Sequence, residues 1–309
     1  MTTMKAIRVK GYGPASELLL EDAARPVPGP GQVLVRVHAA GVNPVDRLLR
    51  AGFMKSMIPL TFPWTPGLDV SGDVHGVGAG VLAFTVGDEV FGKAEIPGGT
   101  YAEYVSVPAA SLVKKPRSID HIHAAGIPLA ALTAWQGLFG GLDLAPGQTV
   151  LITGAAGGVG TFAVQLAKWK GARVVAAARA AHERHLKALG ADAFVDTARD
   201  ISAAGKVDAV LDLVGGELAQ QAWAHLRTGG AFASALGPPS AEEAKVRSAR
   251  TTAVFTQTNT QQLSEIAALV EKGTVQVIVS KTLPLAAGAE AHRLLEGGGM
   301  VGKIVLVVR

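Results

Sequence analysis

A glycine-rich segment in the middle of the chain has the composition of a phosphate-binding turn. The apolar run Val150–Thr153 ends at Gly154, and the chain continues through Gly157 and Gly160 into a helical pattern over 159–170. Glycine permits positive φ angles and lets a ligand approach the backbone closely. Exposed N–H groups and the positive end of a helix dipole attract phosphate. The segment therefore predicts binding of a dinucleotide pyrophosphate, the alternative being that its glycines serve only tight packing.

The end of the next strand predicts which dinucleotide is bound. A carboxylate that accepts hydrogen bonds from the ribose of NAD is expected roughly 20 residues beyond the glycines, and Ala178 followed by Arg179 stands there. A guanidinium can bind a 2′-phosphate through two parallel hydrogen bonds. His182, Arg184 and Lys187 follow and add positive charge. We therefore predict NADP(H) rather than NAD, the alternative being that Arg179 points into solvent.

Strands and helices alternate around the glycine turn, from about residue 124 onward. Runs such as Val207–Val214 are largely apolar, as parallel strands covered on both faces must be. The alternation predicts βαβ units and a doubly wound parallel sheet. The predicted helices lie at 124–138, 159–170, 182–189, 217–227 and 261–272, and the predicted strands at 150–153, 173–178, 193–195, 207–213, 231–236 and 252–256.

The first 120 residues consist of short β-like runs separated by proline and glycine, a pattern typical of an irregular antiparallel barrel. Strand-like runs return at 275–279 and 303–308, and we expect them to rejoin the first domain. The predicted boundaries are 1–123 for the first part of the barrel domain, 124–272 for the dinucleotide-binding domain, and 273–309 for the return of the chain.

Composition limits the class of protein. The 309 residues are enough for two domains, and 49% hydrophobic with 17% charged residues is typical of a packed globular protein. There is no cysteine, which excludes disulfides, thiolate nucleophiles and cysteine-bound zinc. No signal peptide or bilayer-spanning run is recognisable, so a cytoplasmic location without a membrane partner is expected. The net charge of +4 is spread without basic runs, so no nucleic-acid partner is expected.

Several motifs resemble those of the zinc-independent quinone oxidoreductases, a branch of the medium-chain dehydrogenase/reductase superfamily that includes zeta-crystallin. The resemblance covers essentially the whole chain. It implies an α/β fold with a GroES-like irregular β-barrel catalytic domain, built from both chain ends, and an inserted Rossmann domain with a doubly wound parallel sheet. The nicotinamide and the substrate would lie in the cleft between them. The matching segments are Pro28–Asp46, Pro66–Gly72, Gly99–Val105, Leu129–Trp135, Gly154–Lys168 and Gly302–Leu306.

The resemblance also implies a set of cofactor contacts. The glycine turn would contact the pyrophosphate, Thr133 would lie near the nicotinamide, and Lys303 would reach the cofactor or close the cleft. The alternative for Leu213, Val214 and Leu236 is burial in the core, where the ends of strands usually lie. The expected cofactor-binding residues are Thr133, Gly154, Ala156, Gly157, Gly158, Val159, Arg179, Leu213, Val214, Gly215, Leu236, Gly237 and Lys303.

The positions of the zinc ligands in zinc-dependent relatives carry other residues here. Asn43 stands in place of the first cysteine, and Leu68 with Asp69 replaces a histidine–glutamate pair. A zinc site needs three or four converging nitrogen, sulfur or carboxylate ligands. We therefore expect no metal, and we expect the scattered histidines, His38 and His121 among them, to form ordinary hydrogen bonds.

Without zinc there is no Lewis acid for alcohol oxidation. The expected reaction is hydride transfer from NADPH to a small electron-poor substrate, a quinone or the β-carbon of an enone. Asn43 is the first candidate to donate a hydrogen bond to the developing oxyanion, and Asp46 is expected to orient it. The alternative is that both serve only the structure of their turn. Some relatives carry a tyrosine at the place of Leu48, so the proton donor stays open between water, Tyr101 and Tyr104.

Two other functions are compatible with the same motifs. One is an enoyl-thioester reductase of the same superfamily, and the other is a weakly catalytic, zeta-crystallin-like protein that binds NADPH or RNA. The resemblance also implies a homodimer or homotetramer formed through an edge strand of the Rossmann sheet.

The assignment of Arg179 can be tested by reversing its charge. We expect Arg179→Glu to raise the KM for NADPH by roughly tenfold or more, because a charge-assisted contact to the 2′-phosphate is lost, while the KM for NADH changes little. Steady-state kinetics with both coenzymes checks this. An equal effect on the two KM values would contradict the assignment.

Overall fold

The computed structural model describes residues 2–309. Within that range, strands β1 to β15 lie in chain order at Thr3–Arg8, Leu19–Ala24, Gln32–Val42, Asp69–Val77, Glu89–Lys93, Tyr104–Pro108, Leu112–Lys114, Thr149–Thr153, Arg173–Ala178, Ala193–Asp196, Val207–Asp212, Leu226–Ser234, Arg250–Ala253, Val279–Pro284 and Lys303–Val307. Helices α1 to α9 lie at Pro44–Arg50, His121–Ala125, Pro128–Trp135, Gly158–Trp169, Glu183–Ala188, Gly216–Trp223, Ala241–Arg247, Thr260–Glu271 and Gly288–Gly297.

The first large sheet has the order β14-β15-β3-β4-β5-β7, with β6 also paired to β3, and is antiparallel except between β14 and β15. Alternate residues of its strands, such as Val35, Val70 and Val90, are fully buried in one core. The last strand, β15, pairs with β3 through Ile304 and Val42. Segments from both ends of the chain therefore build one sheet.

The second large sheet has the order β10-β9-β8-β11-β12-β13 with all strands parallel. Its central strand β8 has Val150, Leu151 and Ile152 fully buried, because helices cover both faces. The strand order reverses between β8 and β11, which is where ligands bind in doubly wound sheets. The predicted fold class is confirmed.

The predicted helix at 124–138 is wrong as a single element. It is split into α2 and α3, because Gly126 ends the first and Pro128 opens the second. Proline is tolerated at the first position of a helix but cannot continue one. A π-helical turn over Gln136–Gly141 then extends α3. The helix α2 also spans residue 123, where a domain boundary is predicted.

Two other predicted elements have wrong limits. The helix at 217–227 ends at Trp223, because Leu226 pairs with Val207 and starts β12. The strand at 275–279 begins only at Val279. Val275 and Val277 are buried in the core beside the parallel sheet. Their alternating apolar pattern therefore reflects packing in this core and not pairing with a neighbouring strand. No helix formed by residues 2–309 has the length and hydropathy required to cross a bilayer.

A buried ion pair joins the helix that follows β3 to the helix that precedes β15. Arg50 is 1% exposed, and its Nη2 donates to Oε1 of Glu296 at 2.5 Å. The Nε and Nη1 atoms of Arg50 have no hydrogen-bond partner among the described residues. Glu296 is therefore the group that compensates the buried guanidinium, and the pair ties α1 to α9.

Removing the carboxylate should cost more than removing the cation. We expect Glu296→Ala to lower the free energy of unfolding by roughly 2–3 kcal/mol, because it leaves a buried charge unpaired. Arg50→Met should cost less, since Glu296 is one-third exposed and remains solvated. Urea denaturation measures both, with the exposed Glu265→Ala as a control. A larger loss for Arg50→Met than for Glu296→Ala would contradict this account.

Candidate active site

The glycine turn joins β8 to α4 at the carboxyl edge of the parallel sheet. Gly154 has a φ of +63°, which glycine adopts without steric cost, and Gly157 caps the helix that begins at Gly158. A Cβ atom at Gly160 would lie 2.3 Å from the carbonyl oxygen of Gly154, so only glycine lets α4 pack this closely. The N-terminal N–H groups of α4 thus lie at the crevice where a pyrophosphate can be bound.

Asp212, a residue that the sequence analysis did not single out, organises the loops beside this turn. It is 1% exposed, and its Oδ1 accepts from the backbone N–H of Val214 and Gly215 at 3.2 and 3.0 Å. Its carboxylate also accepts from the hydroxyls of Thr153 and Ser234 at 2.7 and 2.9 Å. The carboxylate therefore links the ends of β8, β11 and β12. A polar residue at the end of an apolar strand was the only available signal.

The predicted residues after β11 and β12 lie at the same edge as the turn. Val214 and Leu236 are 49% and 58% exposed, so neither is a core residue, whereas Leu213 is half-buried against the core. A Cβ atom at Gly154 would lie 2.9 Å from Cγ2 of Val214, which shows how close the two loops are. Gly215 and Leu236, with Gly237, also line a cavity of about 490 Å³ that extends between α6 and α7.

Three further predicted residues lie around the start of α4 and on α3. Ala156 is buried, and Val159 is half-buried against the core. The hydroxyl of Thr133 donates to the carbonyl oxygen of Leu129 at 2.7 Å and lies 2.6 Å from the hydroxyl of Thr256. With its proton committed to Leu129, Thr133 has a lone pair left to accept a hydrogen bond.

The segment that leads into β15 lies directly on the glycine turn. The backbone N–H of Gly302 donates to the carbonyl oxygen of Ala156 at 2.8 Å. A Cβ atom at Gly158 would lie 2.8 Å from Cδ of Lys303, so the lysine side chain passes over the start of α4. The structure therefore brings the predicted residues Ala156, Gly157, Gly158 and Lys303 together, although they come from distant parts of the chain.

The ammonium group of Lys303 lies in a cage of oxygen atoms. Lys303 is 4% exposed, and its Nζ donates to the carbonyl oxygen of Val42 at 3.1 Å and to Oδ1 of Asn43, with Oδ2 of Asp69 at 3.4 Å. Nδ2 of Asn43 donates to the same Asp69 oxygen at 2.9 Å. A cation is thus already present among the residues at the zinc-ligand positions, while buried Leu68 offers no ligand atom. This set of donors and charges does not fit zinc.

Asp46 holds the turn that carries Asn43. It is fully buried, and its Oδ2 accepts from the backbone N–H of Asn43 at 2.9 Å and from the hydroxyl of Tyr101 at 3.0 Å. Burial raises the pKa of Asp46 to about 7, although these hydrogen bonds act in the opposite direction. Its Oδ1 has no partner among the described residues, which suits a protonated carboxyl. The geometry makes Asp46 a positioning residue for Asn43.

Tyr101 connects this turn to α9. Its hydroxyl lies 3.5 Å from Nε2 of His292, and both side chains are fully buried. Burial lowers the pKa of His292 to about 3 and raises the pKa of Tyr101 well above its ordinary value. Both groups are therefore neutral near pH 7. Tyr104, on β6, instead packs under the guanidinium of Arg25, 3.9 Å from its ring centre.

Arg179 follows β9 at the predicted adenosine end of the crevice. It is exposed, and its side chain makes no hydrogen bond or ion pair within residues 2–309. A Cβ atom at Gly299 would lie 2.7 Å from its Nη1, so the guanidinium lies against the segment that precedes β15. The nearby carboxylate of Asp196 accepts from the backbone N–H of Ala180 and Ala198, both at 3.1 Å. The guanidinium is thus unpaired while the acid is occupied.

The sequence suggested that the histidines are scattered, but His38 and His121 lie together on the barrel domain with Asp73. One ligand-type atom of each of the three lies within 4.8 Å of the others, and the two rings stack with centres 4.3 Å apart. Arg36 donates to Oδ2 of Asp73 at 2.6 Å, and the same oxygen lies 2.8 Å from Nε2 of His38. The carboxylate of Asp73 is therefore paired with the guanidinium of Arg36 and hydrogen-bonded to His38.

Two family models match the chain. The model described as "Alcohol dehydrogenase GroES-like domain" matches residues 29–117, and the one described as "Zinc-binding dehydrogenase" matches residues 189–306. Together they cover strands of both large sheets, and the second includes Lys303.

Full-length relatives give a more specific assignment. The quinone oxidoreductase of Pongo abelii is 31% identical, over 99% of this chain and 98% of its own. The mitochondrial NAD(P)H oxidoreductase RTN4IP1 of Danio rerio is 32% identical, over 99% and 92%. The solved structure of the quinone oxidoreductase from Coxiella burnetii is 35% identical with a TM-score of 0.92, over 100% of both chains. The chain therefore belongs to the quinone oxidoreductase family of the medium-chain dehydrogenase/reductase superfamily, and it is an oxidoreductase with a GroES-like and a Rossmann domain.

Proposed function

We propose that this protein is an NADPH-dependent reductase of quinones or enones that works without a metal ion. The proposal rests on one observation. The side chain of Lys303 crosses the glycine turn and contacts Asn43 and Asp69 at the crevice. Bound NADPH would supply a hydride from C4 of its nicotinamide ring. The chain's own residues bind the two reactants, orient them and exclude water.

The glycine turn and Arg179 support binding of NADPH. The N-terminal N–H groups of α4 suit the pyrophosphate, and no Cβ atom stands between them and a ligand at Gly157 and Gly158. Arg179 offers an unpaired guanidinium where a 2′-phosphate would lie. We propose that the remaining predicted cofactor residues complete the site, namely Thr133, Val159, Leu213, Val214, Gly215, Leu236 and Gly237.

The oxygen cage supports metal-free chemistry. A buried ammonium group supplies positive charge beside Asn43, and its field reaches the cleft with little screening by water. Asn43 has one amide hydrogen bound to Asp69 at 2.9 Å, and the other faces the carbonyl oxygen of Gly41 at a long 3.5 Å. That second hydrogen is available to a substrate or nicotinamide oxygen. Asn43 is therefore the proposed hydrogen-bond donor, and Asp46 the residue that positions it.

Assembly and location remain predictions. The edge strand β13 has no strand on its outer side within the described residues, and Arg250 and Thr251 are exposed on it. Pairing of two such edges would extend the sheet and give the expected homodimer. The expected compartment is the cytoplasm.

The function can be tested by a screen of electron acceptors. We expect the purified protein to oxidise NADPH in the presence of quinones or enones, with full activity after treatment with EDTA or phenanthroline. Loss of absorbance from the reduced nicotinamide measures the rate. A preference for enoyl thioesters would move the assignment to that reductase class. Absence of turnover together with RNA binding that weakens steeply with salt would favour the crystallin-like role.

Activity lost on chelation and restored by zinc would contradict the metal-free proposal. NADH serves as the matched control coenzyme in the same screen.

The positioning role of Asp46 predicts a variant with nearly normal chemistry. Asp46→Asn keeps an oxygen for both hydrogen bonds, so we expect kcat to fall by less than roughly tenfold, whereas loss of a general acid typically costs 100-fold or more. Asp46→Ala, which loses both bonds, should be less stable and less active. A loss of roughly 1,000-fold in Asp46→Asn would instead identify Asp46 as the acid.

The same variant has a predicted pH dependence. The folded protein binds a proton on Asp46 up to about pH 7, while an unfolded aspartate releases it near 3.8. This contribution to stability is full below pH 4 and is lost as the pH rises to about 7. Asp46→Asn has no titrating group at this position and does not lose this contribution. Between pH 4 and pH 7 the free energy of unfolding of the variant should therefore rise by on the order of 2–4 kcal/mol relative to that of wild type. The lowered pKa of His292 makes stability increase with pH in both proteins. Urea denaturation should therefore compare the variant with wild type at each pH, so that the effect of His292 cancels.

A further inference from the structure

Lys93, the last residue of β5, is a buried lysine without a partner. The residue is 5% exposed, and its side chain makes no hydrogen bond or ion pair within residues 2–309. The other buried lysines are satisfied. Lys115 donates to two carbonyl oxygens at 3.0 and 2.6 Å, and Lys303 lies in its oxygen cage. The Nζ atom of Lys93 is not among the fully enclosed polar atoms that lack a partner, so the stem of Lys93 is buried while its ammonium group reaches solvent.

The side chain of Lys93 projects from the barrel toward the Rossmann domain. Val90 and Ala94 are buried in the barrel core. Because side chains alternate along a strand, Phe91 and Lys93 lie on the opposite, outer face of the barrel. Phe91, two residues earlier, is buried in the core of the parallel sheet and α3. Lys93 therefore faces the cleft between the two domains.

Lys93 also lies next to the oxygen cage. It pairs with Asp69 across the β4–β5 ladder, and directly opposed residues have Cβ atoms roughly 5 Å apart on one face. The carboxylate of Asp69 accepts from the N–H of Leu129 and from Asn43, both at 2.9 Å, and interacts with Lys303. No hydrogen bond or ion pair joins it to Lys93. The ammonium group is thus held beside the proposed reaction centre with its hydrogens free.

We propose that Lys93 binds the carbonyl oxygen of the substrate and transfers a proton to it. The inference rests on the proposed function, since it assigns the proton donor that the sequence left open. Both proposed substrate classes, quinones and enones, have a carbonyl group conjugated to the electron-poor carbon.

The step balances without a further reactant. When hydride forms a C–H bond at the β-carbon of an enone, the C=C electron pair shifts and the carbonyl oxygen becomes negative. The Lys93 N–H bond then breaks, its proton joins that oxygen to give the enol, and the amine regains a proton from water. With a quinone the same two transfers give a keto tautomer of the hydroquinone, which becomes the hydroquinone by losing a proton from the new CH₂ group and gaining one on the second oxygen from water. Burial lowers the pKa of Lys93, although Asp69 and Glu95 act in the opposite direction, and a lowered pKa eases proton release.

Two substitutions separate charge from proton transfer. We expect Lys93→Met to lower kcat for quinone and enone reduction by roughly 100-fold or more, with the dissociation constant for NADPH unchanged. Lys93→Arg retains the charge but does not release a proton, so it should restore substrate binding but not kcat. Lys114→Met, the same change at an exposed position on the neighbouring strand β7, is the control and should be fully active.

Two readouts exclude a merely structural role. Wild-type kcat should fall at high pH as Lys93 loses its proton, and this decline should be absent in Lys93→Met. The Tm of Lys93→Met should be equal to or higher than that of wild type, because the change removes no hydrogen bond or ion pair and keeps an apolar stem in the buried position. A kcat within threefold of wild type, or an equal loss of NADPH affinity, would overturn the proposal.

A binding measurement keeps the inference separate from the proposed function. In the presence of NADP⁺, 4-nitrophenol should bind to wild type as the coloured phenolate, roughly tenfold tighter than to Lys93→Met, because the ammonium stabilises the oxyanion. If wild type reduces no acceptor, the proposed function fails and this measurement alone decides the role of Lys93. Phenolate binding that does not depend on Lys93, or no binding at all, would overturn the inference.

Discussion

The structure depends on how one buried charge near the C-terminus is accommodated. The ammonium group of Lys303 enters the barrel domain between Val42, Asn43 and Asp69, after its stem has crossed the first turn of α4. A buried cation is stable only with such acceptors around it. Three segments that are far apart in the chain must therefore be in place at once. The cage fixes the distance between the glycine turn and the barrel, and with it the width of the crevice.

Other polar groups around the cage serve the same arrangement from different sides. Asp46 orients the turn of Asn43, and the hydroxyl of Tyr101 connects Asp46 to His292 on α9. On the Rossmann side, Asp212 ties together the loops that follow three strands. Each carboxylate is satisfied mainly by uncharged donors, so these groups shape the crevice without adding salt bridges across it. Lys93 is the exception, because its ammonium group forms no hydrogen bond or ion pair with the described residues.

The sequence was most informative where the signal is local. The alternation of strands and helices, the glycine turn and Arg179 after β9 could all be located from residue type and spacing alone. The contact of Lys303 with Asn43 could be expected only from resemblance, because no local pattern encodes pairing across almost the whole chain. The burial of Lys93 and the links of Asp212 had no local signal, since a lysine or aspartate at a strand end is usually solvated. The limits of α3 and α6 depended on Pro128 and on the pairing of Leu226, where tertiary structure overrides helical period.

The pairing of β3 with β15 has a consequence for biosynthesis. The GroES-like sheet is incomplete until the ribosome has released Ile304, whereas every strand of the Rossmann sheet has emerged by Ala253. Domains generally fold as units in the order of synthesis, and contacts between distant residues form slowly. The inserted domain can thus fold first and offer the glycine turn as a docking site for the segment that leads into β15. Until the final strand arrives, the nascent barrel exposes the unpaired edge of β3 from Ala39 to Val42 and needs protection from association with other chains.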